Sequence, residues 1–209
     1  MFVLLVALVA GVAVGVSLSR ASGLGPLRAR IVALAEGQIG YRTDPVHSYC
    51  NKFSAYWDAG TEDCPSGERA EEWCADFAAW AWKTAGADVT YELTPGDLNS
   101  NSASFYVWGV DHGTWHAASS PYVPQPGDVA VYGLDPGAVT AAHVAVVTAS
   151  NGEGVAPDVV NGDGDRTGFS VVEAGTRQAY ADVAGKGDPL SGYVSPLPAS
   201  SASASAPPS

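Results

Sequence analysis

The residue best suited to nucleophilic chemistry in this chain is Cys74, which lies in the segment EEWCADFAAWAWKTAG. The segment predicts a helix with the cysteine near its start, and a helix N-terminus favours the thiolate, the nucleophilic form. Small residues at Ala78, Ala81 and Ala85 continue one face from Cys74, so the helix is able to lie close against a sheet. The alternative is a buried core cysteine, because free cysteine is among the most buried residues.

A nucleophilic thiol needs a base, and His143 is the best placed of the four histidines. It opens HVAVVTA, the most strand-like run in the chain. A catalytic imidazole also needs an acceptor that fixes its second nitrogen. An antiparallel return after the next turn brings Asn161 level with His143. We expect Asn161 to orient the imidazole and Asp163 to contact substrate or extend the network; the alternatives are a solvated or capping His143 and an Asn161 that caps a turn.

The cysteine count leaves one thiol unpaired, since the chain has three cysteines. Cys50 and Cys64 both lie in an irregular segment rich in Tyr, Asp, Pro and Gly, and we predict a disulfide between them. A zinc site is the competing interpretation, but no Cys-x-x-Cys pair or paired histidines supports it. We therefore expect no metal and no cofactor.

The pattern of apolar residues and of Gly and Pro predicts helices first and strands later. Helices are predicted at 27–38 and about 70–85, with a weaker one at 102–110, and Glu71 and Glu72 would occupy the first turn of the second. Short Val-rich strands are predicted at 128–132, 143–149, 157–161, 170–173 and 192–195. This order predicts an α+β fold with N-terminal helices packed on a small antiparallel sheet.

Both ends of the chain look non-globular. Residues 1–18 are uncharged and rich in Val, Leu and Ala, which predicts a signal peptide cleaved after Ala21 or a membrane anchor. Residues 196–209 consist almost entirely of Pro, Ala and Ser and predict a disordered tail. The domain organisation is thus a targeting segment at 1–21, a catalytic domain at 27–195 and a tail.

Composition excludes one class of partner. The formal net charge is -12, and such a surface repels the phosphate backbone of nucleic acid. The apolar fraction of 46% and the six tryptophans indicate a folded domain with a real core. We expect a monomeric protein outside the cytoplasm.

Three blocks in chain order resemble the CHAP family, the cysteine, histidine-dependent amidohydrolases/peptidases. The blocks are Trp73-Cys74-Ala75-Asp76-Phe77, Pro126-Gly127-Asp128-Val129 and His143-Val144-Ala145-Val146-Val147. The resemblance covers residues 27–195 and implies a papain-like fold with Cys74 as nucleophile, His143 as base and Asn161 or Asp163 as the third group. It also implies peptidoglycan or peptide as substrate.

The resemblance leaves other functions open. A non-catalytic surface adaptor built on the same fold and an amidase acting on small amides are the alternatives. Trp73 and Trp115 are expected to join Asp163 in contacting substrate, although core packing is the competing use for such aromatic residues.

Overall fold

The computed structural model describes residues 25–200 except 47, 93, 165–169, 177–178 and 182–186. The predicted signal peptide or anchor at 1–21 lies outside the described residues. Within the described part of the chain, no helix has the length and apolar character that a membrane crossing requires.

Among the described residues, four helices precede the main sheet, and the first three each begin or end for a local reason. The first has proline at its first position, where the missing N–H costs no hydrogen bond. The Asn51 side chain caps the second by accepting from the backbone N–H groups of Phe53 and Ser54. Gly86 ends the third in the left-handed conformation. The helices are α1 (Pro26–Glu36), α2 (Lys52–Trp57), α3 (Cys74–Ala85) and α4 (Ser104–Asp111).

The main sheet is antiparallel and has seven strands, in the order β3-β9-β4-β5-β6-β7, with β8 also paired to β9. It is larger than the five strands predicted, but the α+β class is confirmed. A separate two-stranded sheet joins β1 to β2. The strands are β1 (Cys50–Asn51), β2 (Arg69–Ala70), β3 (Trp115–Ala117), β4 (Val129–Tyr132), β5 (His143–Ala149), β6 (Asp158–Gly164), β7 (Val171–Thr176), β8 (Ala179–Ala181) and β9 (Gly187–Val194).

Alternating side chains of β5 enter two different cores. Val144 and Val146 belong to the large core that the sheet shares with α1 and α3. Ala145 and Val147 belong to a smaller cluster. Such alternation is what a strand buried on both faces requires, and it fixes the register of His143 at the start of β5.

The predicted disulfide between Cys50 and Cys64 is confirmed. It joins Cα atoms 5.7 Å apart, and Cys74 is the free cysteine. Cys50 lies in β1, whose partner β2 leads directly into the segment before α3. The bridge therefore stabilises the approach to the helix that carries the free thiol.

The predicted start of the second helix is wrong by four residues, because α3 begins at Cys74 and not near Ala70. Ala70 is in β2, pairs with Cys50 and also exchanges two backbone hydrogen bonds with Thr61. This pairing keeps the chain extended, so Glu71 and Glu72 precede the helix and do not occupy its first turn.

The first residues of the predicted tail at 196–209 contact the folded domain. The Asp88 N–H donates to the Leu197 carbonyl over 2.7 Å, and the Ala199 N–H donates to the Gly86 carbonyl over 3.1 Å. The Leu197 side chain packs against the large core. The chain is therefore held to the loop after α3 through Ala199, and residues 201–209 lie outside the described residues.

Candidate active site

Cys74 is the first residue of α3, and β6 holds the helix in place there. The N–H of Trp73, directly before it, donates to Asp163 Oδ2 over 3.2 Å. The other carboxylate oxygen of Asp163 accepts from the Ser170 hydroxyl. A carboxylate at a helix N-terminus is favourable because it meets the positive end of the helix dipole. Asp163 therefore fixes where the helix begins, and with it the position of the thiol.

The thiol lies where two strands separate. The described pairing of β5 with β6 runs from Ala149 opposite Asp158 to Val146 opposite Val160. The Val147 N–H donates towards β4, to the Asp128 carbonyl, so by alternation the Val144 N–H faces β6. The Val144 backbone lowers the pKa of the Cys74 thiol, and α3 packs against β5. The structure therefore brings Cys74 against the beginning of β5, which is where His143 lies.

His143 and Asn161 bridge the same separation through their side chains. His143 Nε2 and Asn161 Oδ1 are 3.0 Å apart, and both residues are buried. Asn161 Nδ2 donates to the Glu173 carbonyl of β7 over 3.5 Å, which directs Oδ1 towards the imidazole. An amide oxygen only accepts hydrogen bonds, so Nε2 carries the proton and Nδ1 is the basic nitrogen. This is the orientation that a general base requires.

A bulge in β6 separates the roles of Asn161 and Asp163. The pairing with β7 shifts register between Asn161 and Gly164, and Asp163 adopts a left-handed φ of 55°. A Cβ on Gly162 would overlap the Phe77 side chain of α3, so only glycine lets the strand pass this close to the helix. The run is a bulged strand, not the capped turn weighed for Asn161. Asn161 faces the imidazole, and Asp163 reaches the start of α3.

Burial sets the protonation state of the thiol. It raises the pKa of Cys74 to about 12, and the charges of Asp163 and Asp76 act in the same direction. Hydrogen bonds from Ser102 and from the Val144 N–H lower this pKa but do not cancel the effect. This reverses the direction expected from the helix N-terminus alone, because only 7% of the residue is exposed. The resting group is a neutral thiol that needs a base.

Ser102 is a neighbour of the thiol that the sequence analysis did not identify. Its Oγ lies 3.2 Å from Cys74 Sγ, and the contact is buried. Its surroundings in sequence, Asn99-Ser100-Asn101-Ser102, resemble an ordinary polar loop. One feature of the sequence does indicate an ordered loop here. Asn and Ser alternate, and their side chains readily form hydrogen bonds to the nearby backbone.

A polar cleft opens on the thiol. It has a volume of about 400 Å³ and its lining includes Cys74, Ser102 and two acidic residues, Glu71 and Glu72. Burial and the nearby Asp76 carboxyl raise the pKa of Glu71 to about 8. Because α3 starts at Cys74, the two glutamates lie in the cleft beside the thiol and not on the helix surface.

The three residues predicted to contact substrate do not line the cleft beside the thiol. The Trp73 side chain is fully buried, stacks on Phe53 and donates from its indole to Ser170 Oγ over 2.6 Å, so it is a core residue. Trp115 lies in β3 and packs edge-on against Tyr106. Both carboxylate oxygens of Asp163 bond within the protein. Contact of these residues with substrate stays a prediction.

Comparison with known proteins gives one match. The model of the CHAP domain family matches residues 66–163, a span that contains Cys74, Ser102, His143 and Asn161. This confirms the family resemblance found in the sequence. No curated protein and no solved structure shows significant similarity to the chain.

Proposed function

We propose, on the premise that the chain carries a CHAP domain, that it cleaves amide bonds of peptidoglycan as a cysteine amidohydrolase or peptidase. CHAP domains are generally hydrolases with substrates of this class. A papain-like arrangement of α3 against β5 and β6, and action outside the cytoplasm, are parts of the same proposal. The disulfide supports the location, because such bonds persist in oxidising compartments.

The observation that carries the proposal is the hydrogen bond of His143 to Asn161 beside a buried thiol. A thiol with a pKa of about 12 is unreactive by itself at neutral pH. An imidazole whose Nε2 donates to Asn161 Oδ1 has Nδ1 as its basic nitrogen, which is the atom that we assign to proton transfer. The pair supplies what the thiol lacks, a fixed base whose protonated form stabilises the thiolate.

The reaction then follows in two balanced halves. The Cys74 proton moves to His143 Nδ1, and the thiolate forms a C–S bond to the amide carbonyl. The imidazolium gives that proton to the leaving nitrogen as the C–N bond breaks, which releases an amine and leaves a thioester. Water attacks the thioester, gives a proton to His143, and the C–S bond breaks to restore the thiol and release an acid.

The oxyanion of each tetrahedral state needs fixed donors. The Cys74 N–H is at the first position of α3, where no carbonyl within the helix is its partner. We assign it to the oxyanion, where the helix dipole adds to the stabilisation. The Trp73 N–H is not assigned, because it already donates to Asp163.

The test is digestion of purified peptidoglycan with mass spectrometry of the fragments released. The wild type should release fragments with new amine and carboxyl ends, which also identifies the bond. Cys74→Ser should lose at least about 10³-fold in rate, because the nucleophile is removed. The Cys74→Ser protein must melt with the wild type for the comparison to count. Full activity of that variant, or no fragments from the wild type, would refute the proposal.

A further inference from the structure

We propose that Ser102 is a further catalytic residue, whose hydroxyl donates a hydrogen bond to the Cys74 sulfur as the thiolate forms. The inference rests on the proposed function, because it concerns the same thiol. Ser102 would supply a hydrogen bond to the sulfur, which is a role that neither His143 nor Asn161 has in the proposed reaction.

The geometry points to the sulfur as the partner of this hydroxyl. Ser102 Oγ and Cys74 Sγ are 3.2 Å apart, and each residue is only 7% exposed. A hydroxyl both donates and accepts, so it can accept from the thiol at rest and donate after ionisation. The thiolate would therefore receive a hydrogen bond from a group already in place.

The loop before α4 is built to hold Ser102 still. Asn99 Oδ1 accepts from the Asn101 N–H over 3.0 Å, and Asn101 Oδ1 accepts from the Ala103 N–H over 2.9 Å. Ser104 Oγ both accepts from the Asn99 N–H and donates to the Asn99 carbonyl, each over 3.2 Å. These local bonds fix the backbone on both sides of Ser102, so its hydroxyl is pre-organised and not recruited by substrate.

The hydrogen bond is worth more to the thiolate than to the thiol. Bonds to an ionised acceptor are roughly twice as strong as neutral ones. A tenfold gain in thiolate is offset by about a threefold loss of nucleophilicity, since reactivity falls with basicity with a slope of about 0.5. The net effect on attack is a gain of about threefold per tenfold gain in thiolate. Because burial raises the pKa of Cys74, little of it is thiolate at neutral pH, so a larger fraction of thiolate raises the rate of attack.

Other charged and titratable groups act on the same thiol and must be held constant. Asp163 of β6 and Asp76 of α3 oppose ionisation. His143 lies at the beginning of β5, and Glu71 and Glu72 line the cleft. None of these is changed by substitution at Ser102, so a shift in the thiol titration reports the loss of the hydroxyl.

The experiment is the rate of alkylation of the full chain by iodoacetamide between about pH 7 and 9, where the rate follows the small fraction of thiolate. Cys74 is the free cysteine beside a disulfide-bonded pair, so the label is specific without further changes. Ser102→Ala should lower this rate by about threefold at each pH, because about tenfold less thiolate is partly offset by about threefold greater nucleophilicity. Turnover on peptidoglycan should fall by about threefold as well, with KM unchanged. Ser102→Thr, which keeps the hydroxyl, should restore both. Ser120→Ala removes a hydroxyl that bonds the Ala117 carbonyl and does not line the cleft, and it should leave the alkylation rate unchanged.

The outcomes separate this inference from the proposed function, because alkylation requires no substrate. An alkylation rate in folded Ser102→Ala equal to that of the wild type overturns the role of Ser102, even if the wild type digests peptidoglycan. A lowered rate supports that role, even if peptidoglycan is not the substrate. If Ser102→Ala fails to fold, the alkylation rate of Ser102→Thr decides: a wild-type rate supports the hydroxyl, and a lowered rate refutes it.

Discussion

The two halves of the candidate site are positioned by different means. His143 and Asn161 lie on adjacent strands of the sheet, 2% and 0% exposed. Cys74 is the first residue of a helix, and Ser102 lies in a loop. Both line an open polar cleft. Backbone pairing with β4 fixes His143 and pairing with β7 fixes Asn161, whereas side-chain hydrogen bonds to the backbone fix the second pair. The histidine is therefore held by the fold itself and the free cysteine by a few local contacts.

This difference means that substitutions in the two halves should fail in different ways. In the sheet half, neighbouring strands keep the backbone in place when one side chain is removed, so the loss should appear in turnover. In the half with the helix and loop, single contacts such as the Trp73 N–H to Asp163 hold the geometry, so losses should appear in stability or in the thiol titration as well.

The largest effect that distinguishes the halves is expected between Asn161→Ala and Asp163→Ala. Asn161→Ala removes the acceptor from His143 Nε2 and should lower turnover by roughly 10²-fold or more, with little change in melting temperature. Asp163→Ala removes the carboxylate from the start of α3 and should mainly lower the melting temperature. Kinetics and thermal melting of both variants are the measurements.

One result would show that Asp163, and not Asn161, orients the imidazole of His143. If Asp163→Ala costs far more turnover than Asn161→Ala, with both variants folded, then Asp163 orients the imidazole in the working enzyme. The hydrogen bond seen at Asn161 would then describe the resting state alone.

A second, smaller effect should follow from removing the disulfide. It lies on the side of the helix and loop, and the entropic model predicts a loss of about 3 kcal/mol in unfolding free energy for Cys50→Ser/Cys64→Ser. Urea titration measures the loss. Wild type treated with reductant is the matched control and should unfold at the same urea midpoint, while reductant should not affect the double variant. Equal midpoints for oxidised wild type and double variant would show that β1 and β2 need no bridge.

The smallest effect should come from the end of the chain. A protein ending at Ser200 should melt with the full chain, whereas one ending at Ser195 loses the Leu197 contact with the core and the backbone bonds to Asp88 and Gly86. Partial burial of one leucine is worth about 1 kcal/mol, or roughly 4 °C in a domain of this size. Identical melting of the two truncated proteins would show that these contacts do not contribute.

The sequence predicted the sheet half better than the other half, for a physical reason. The seven residues of β5 were predicted to the residue, because a short run rich in Val and bounded by polar loops favours a buried strand over a helix. The pairing of Asn161 with His143 followed from the antiparallel return. These features depend on periodicity, which a sequence displays directly.

Tertiary contacts determined the features that the sequence did not reveal. Glu71 and Glu72 look like the first turn of a helix, yet the pairing of Ala70 keeps their backbone extended. The raised pKa of Cys74 arises from burial by elements distant in sequence. Ser102 was missed because its contact with the thiol spans 28 residues, and its loop gives no periodic signal.

The bond between the Trp73 N–H and Asp163 has a consequence for the order of events in folding. It joins residues 90 positions apart, and contacts of such separation form late because a long loop must close first. The helix with the thiol is local and can form early, but without β6 it has neither its anchor nor the partner of the histidine. A partly synthesised or partly folded chain therefore carries the cysteine but not the histidine and asparagine beside it, so the proposed hydrolytic activity should arise only once the topology is complete.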